Sequence, residues 1–112
     1  MAGRNQFSVS NGVTDVTILA PPAASTTRTV GAGHLNIVNR DTASIVVTIQ
    51  IKENTTDHVQ EQAITILAGK SWSNDKQVMC LDEDDETLEI FLAGAVVATE
   101  AKISVMYRDE AQ

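Results

Sequence analysis

The sequence predicts an all-β fold, an antiparallel β-sandwich of jelly-roll or immunoglobulin-like type with about eight short strands. Three observations carry this expectation. Apolar residues recur with period two, most clearly where Ile45, Val47, Ile49 and Ile51 alternate with Val46, Thr48, Gln50 and Lys52. Turn-forming residues divide the apolar runs at the interval expected of a sandwich or barrel. No window of helix length shows a 3.6-residue period. Short strands with one apolar face are buried most economically by packing two sheets together.

The chain has 112 residues, which fits one domain, placed at residues 13–112 behind a flexible N-terminal arm at residues 1–12. A chain of this size buries roughly two thirds of its unfolded surface and needs no disulfide or metal to fold. Hydrophobic residues make up 43% and aromatics only 4%, so the core must be aliphatic.

The arm is polar and small, with isolated Phe7 and Val9. Val13 to Ala20 reads as the first strand, stopped by Pro21-Pro22. Thr29 to Val38 reads as the second, where Gly31 and Gly33 predict a bulge or a close backbone approach. The turn Asn39-Arg40-Asp41-Thr42-Ala43-Ser44 leads into Ile45–Lys52, so that His34–Lys52 reads as a central hairpin. Burying its four isoleucine and valine side chains is worth roughly 6–12 kcal/mol. In the turn, Asp41 is expected to cap backbone N–H groups, with Arg40 pairing to it or contacting a neighbour.

A polar loop follows at Glu53–His58, and Val59–Gln62 is ambiguous. Ala63–Leu67, a short strand around Trp72, Gln77–Leu81, Leu88–Leu92 and Ala101–Arg108 complete the strands. Asn54-Thr55-Thr56 matches a glycosylation sequon, read as chance because no secretory signal precedes it.

Net charge is −7, from 15 acidic and 8 basic residues. That balance argues against nucleic acid and against an anionic membrane as partners. The single cysteine, Cys80, excludes an intrachain disulfide, and no apolar run is long enough to span a bilayer. Synthesis and assembly in a reducing cytosol is the simplest expectation.

No catalytic constellation emerges, and neither enzyme activity nor a cofactor is expected. The run Asp82–Glu86 offers clustered carboxylates, but EF-hand spacing and flanking helices are absent. It reads as a solvated hairpin tip whose charge discourages edge pairing. His34 and His58 lack ligand spacing to Cys80 and read as surface or satisfied histidines; Cys80 reads as a small core residue. Trp72 is either a plug between sheets or a partner anchor. Phe7, Val9, Arg40 and Trp72 are the candidate partner contacts.

Four stretches resemble small structural proteins of tailed-phage virions. They are the segments Ile37–Thr48 (IVNRDTASIVVT), Leu67–Trp72 (LAGKSW), Leu81–Ala93 (LDEDDETLEIFLA) and Ala101–Glu110 (AKISVMYRDE). The opening strand and its Pro/Ala linker belong to the resemblance as well. It implies a β-sandwich and a non-enzymatic role, as a capsid decoration (cement) protein or a tail or head-to-tail connector accessory. No site residues carry over. The implied partners are the major capsid protein or other virion proteins and further copies of the chain, with a trimer as one form. The implied place is the virion, after synthesis in the host cytoplasm. A carbohydrate-binding module is a separate alternative, disfavoured by the scarcity of aromatics.

Overall fold

The computed structural model describes residues 3–82 and 85–112. Ile45, Val47, Ile49 and Ile51 alternate inward from the central strand of one sheet, and all four are buried. Among the described residues ten strands form two antiparallel sheets packed as a β-sandwich: β1 (Arg4–Ser10), β2 (Val16–Leu19), β3 (Thr26–Val30), β4 (Leu35–Val38), β5 (Ile45–Glu53), β6 (Thr56–Ile66), β7 (Ser71–Ser73), β8 (Met79–Leu81), β9 (Glu86–Leu92) and β10 (Ala101–Ala111). The core is aliphatic, with Ile18, Leu35, Ile37, Ile49, Leu88, Ile90 and Ile103 fully enclosed.

The second sheet has the order β2-β9-β5-β6. The first is built around β10. Lys102–Val105 pairs with β4, Arg108–Ala111 pairs with β3, and Ala101–Tyr107 pairs with β1. In turn β7 pairs with β4 and β8 with β3. The stretch expected as one strand from Thr29 to Val38 is thus two, β3 and β4, broken where the glycines predict irregularity. Gly33 takes a φ of 80° there, a conformation glycine adopts without steric cost.

The His34–Lys52 stretch is not a hairpin. Strand β4 belongs to the first sheet and β5 to the second, so Asn39–Ser44 is a corner that carries the chain between sheets. Asn39 explains why. Its side chain donates to Ala43 O and Ile66 O, both at 2.9 Å, and accepts the Asp41 N–H at 2.9 Å. Those bonds divert the chain instead of reversing it. Strand β5 finds its hairpin partner in β6, across a turn in which Asn54 has a φ of 56°.

The acidic run also joins the two sheets, from β8 to β9, and is not a hairpin tip. Glu83 and Asp84 lie outside the described residues, as do Met1 and Ala2 of the expected arm. The rest of the arm differs from expectation: Arg4–Ser10 is strand β1, paired along its length with β10. The ambiguous Val59–Gln62 lies within β6, where two register shifts flank Ile49 and Ala63 has a φ of 55°.

Candidate docking face

Strand β1 is inside-out. Its inward positions are Gln6, Ser8 and Ser10, and its outward ones include Phe7 and Val9. It contributes no residue to the hydrophobic core, and the Ser8 and Ser10 hydroxyls are buried without a hydrogen-bond partner. Buried polar groups and exposed large apolar groups are the informative departures from ordinary burial, and β1 shows both. Backbone pairing to β10 fixes the alternation, so the serines face in because the phenylalanine and valine face out.

The register extends this face across the sheet. One row runs Val9, Lys102, Val38, Ser71; the next runs Phe7, Ser104, Asn36, Ser73; a third pairs Asn5 with Met106. Phe7 is 65% exposed, and Val9, Val38 and Met106 are exposed as well. Lys102 is the sole charge in these rows, and its Nζ lies 5.7 Å from the Phe7 ring centroid. For a chain of net charge −7, a face so poor in charge and free of acid has the composition of an interface centre.

A groove of about 410 Å³ opens beside it, lined by Gly3, Thr29, Gly31, His34, Met106, Tyr107 and Arg108. It forms where β10 passes from β4 to β3, with a smaller hollow against Asn36 and Ser104 continuing it. The His34 ring lies against Gly31, where a Cβ would come within 2.9 Å of Nδ1. Side chains at both positions would compete for the same space.

The candidate contacts of the sequence reading separate. Phe7 and Val9 share this face. Trp72 faces the other way from β7, half-buried and packed against the core. Arg40 lies exposed at the inter-sheet corner and donates from Nε to Glu100 O at 3.2 Å, without pairing to Asp41. Cys80 is exposed, contrary to the core reading: β8 turns Met79 and Leu81 inward, so period two sends Cys80 outward, its Sγ 3.9 Å from Thr29 Oγ1.

Two polar clusters frame the sandwich. At the corner, Asp41 accepts the N–H groups of Val97 and Ala98 at 2.8 Å and of Thr99 at 3.2 Å. Successive amides turned towards one carboxylate form an anion-holding nest. The Val97 amide, followed by those of Ala98, Thr42 and Thr99, lowers the Asp41 pKa to about 2. Asp41 therefore does cap backbone amides, chiefly those of a distant loop. That loop leaves Val97 73% exposed.

At the other cluster, Arg28 grips Asp109 through Nε and Nη2, at 2.8 and 3.0 Å, and donates from Nη1 to Ala20 O. Its guanidinium lies 4.7 Å from the Tyr107 ring centroid. The hydrogen bond from Arg28 holds Asp109 below its ordinary value and that from Asp109 raises Arg28. Asp109 and Ala20 O together hold the guanidinium, which suits a clamp rather than a ligand site.

Among the described residues no three His, Cys, Asp or Glu side chains converge as a metal site would require. His58 meets Glu53 at 3.1 Å on the exposed β5–β6 hairpin, and His34 lines the groove. The inverted pattern of β1 was readable in Phe7-Ser8-Val9-Ser10. The distant part of the nest on Asp41 had no local signal, because the amides of Val97, Ala98 and Thr99 lie more than fifty residues away in sequence. The chain matches no protein-family model, no curated protein sequence and no solved structure.

Proposed function

We propose that this chain is a non-enzymatic structural protein of a tailed-phage virion, a capsid decoration protein that binds and stabilises the outer capsid surface. The observation that favours a docking role is the first sheet's outer face, with Phe7, Val9, Val38 and Met106 exposed and no acid among them. Placement on a virion rests on the resemblance of the Ile37–Thr48, Leu67–Trp72, Leu81–Ala93 and Ala101–Glu110 segments. Such a protein works by burying surface across the boundaries between capsid subunits, which raises the free energy needed to separate them. The acidic surface elsewhere keeps it off packaged DNA.

The test is co-sedimentation with particles assembled from the major capsid protein of the same phage. Retention on the particle, with a raised disassembly temperature, is the expected result. No retention on capsids overturns decoration. Retention on purified tails or connectors instead establishes the tail or head-to-tail accessory role. The carbohydrate-binding alternative gains no support from the aromatics. Phe7 is on the first sheet's outer face, Trp72 on its inner face and Phe91 on the second sheet, while Tyr107 lies beneath Arg28.

A further inference from the structure

We infer that the first sheet's outer face takes an extended acidic segment of a partner protein, laid along β10 so that carboxylates six residues apart meet Lys102 and Arg108. This deepens the reading of that face as a docking surface by naming the chemistry of what docks there, and it rests on that reading.

Charge selects the occupant. On the outward side of β10, Lys102, Ser104, Met106 and Arg108 follow one another at alternate positions. Their cross-strand neighbours are Val9, Phe7 and Asn5 on β1, Val38 and Asn36 on β4, and Thr29 on β3. No acid stands in this strip, and Glu110, the next outward position, ends it. Arg28 and Lys52 are paired to aspartates, whereas Lys102 and Arg108 form no ion pair among the described residues. In a chain of net charge −7, a strip whose charges are all positive is where a negative segment is attracted and not repelled. Two cations are too few for a nucleic-acid backbone, which needs clusters of them.

Size and shape narrow the choice further. The strip and its flanking strands present well under the roughly 800 Å² per partner of a standard interface, so a folded domain fits poorly and a short segment fits well. At strand rise, Lys102 and Arg108 stand roughly 20 Å apart along β10. An extended segment repeats its side chains at the same spacing, so acids at positions i and i+6 reach both cations. Positions i+2 and i+4 then lie over Ser104 and Met106, beside exposed Phe7, where apolar side chains fit. The groove of about 410 Å³ at Arg108, lined also by Thr29 and His34, has room for the carboxylate at that end. A guanidinium can hold it with two parallel hydrogen bonds.

The test is fluorescence anisotropy of a labelled, end-blocked peptide, SDSVSVSDS, titrated with the full chain. Saturable binding with a Kd of about 10–100 µM at low salt is the expected result, weakened about tenfold or more by roughly 0.5 M salt. The same peptide with lysine in place of both aspartates should not bind. Lys102→Glu and Arg108→Glu, both at exposed positions, should each weaken the aspartate peptide about tenfold or more, with circular dichroism unchanged. Lys52→Glu, on the second sheet, makes the same change in net charge and should leave binding unaltered. No binding at about 1 mM chain, equal binding of the lysine peptide, or indifference to both β10 substitutions overturns the inference. So does equal binding of a labelled oligothymidylate of the same length, which would show attraction to any anion. If the peptide binds but capsids do not retain the chain, the acidic-segment inference stands and decoration fails. If capsids retain the chain and the peptide does not bind, decoration stands and the inference fails.

Discussion

Asn74 Oδ1 accepts the Leu35 N–H at 2.9 Å, and through that bond one buried side chain completes the break between β3 and β4. Its Nδ2 donates to Gln77 O at 2.8 Å and Gly31 O at 3.2 Å, while its own backbone exchanges bonds with Leu35 O and Gly33 N. The groove exists because this kink is held open. Asn74→Leu keeps the forked shape but orphans a buried amide and two carbonyls, so it should destabilise by about 2–4 kcal/mol. Urea unfolding should show an earlier midpoint with little change in slope. Wild-type stability for this variant would mean that water replaces the side chain.

Asp41 makes the corner sensitive to acid. Its pKa is lowered in the fold from 3.8 to about 2, so the folded state binds the proton less readily than the unfolded chain does. The stabilisation it supplies is therefore complete above its ordinary value and is lost as pH falls through the interval towards about 2. Asp41→Asn should lower the melting temperature at pH 7 and flatten its dependence on pH below 4. A variant melting curve parallel to wild type across that interval would show that the nest is not what links stability to pH.

The inverted strand yields a prediction against the usual direction for core truncations. Ser10 is buried with its hydroxyl unbonded, so Ser10→Ala removes a desolvated polar group and leaves almost no cavity. Stability should rise by about 0.5–1 kcal/mol, and Ser8→Ala should act in the same sense. Thermal unfolding of the two variants decides it. A fall in both would indicate that the hydroxyls have partners in solution.

Much of the architecture was legible because it depends on period two. The inward set Ile45 to Ile51, the break at Gly31–Gly33 and the closing strand from Ala101 follow from alternation and turn chemistry. What misled was sequence proximity. Asn39–Ser44 has the composition of a hairpin turn, yet Asn39 bonds to Ile66 O and Asp41 to Val97 N, and these remote partners send β4 and β5 into different sheets. The docking face was half legible. Phe7 and Val9 stood out in the chain, whereas Val38, Met106 and the groove join them only through pairing to β10. Local composition holds no information about such pairing.

Cys80 offers a direct check on the faces of β8. Placed outward between Met79 and Leu81, its thiol should react fully and rapidly with a thiol-specific reagent in the absence of denaturant. Protection that is released only by urea would place Cys80 inside and reverse the strand's orientation.

Ala63 tests the free edge of the second sheet. Among the described residues strand β6 pairs only with β5, and its opposite edge carries backbone groups without a strand partner that invite further strands. The register shifts between Val47 and Ile49 and between Ile49 and Gln50 distort that edge, and Ala63 at φ 55° sits in the first of them. An alanine there is strained, since its Cβ crowds the backbone in the left-handed region. Ala63→Gly relieves the strain at some cost in unfolded-state entropy and should stabilise by about 0.5–1 kcal/mol. Ala63→Val, branched at Cβ, should destabilise by at least as much. If it instead straightens the strand to remove the bulge, the edge loses its protection and the variant should aggregate at concentrations where Ala63→Gly stays in solution. Light scattering beside the melting curves separates simple strain from that loss of edge protection.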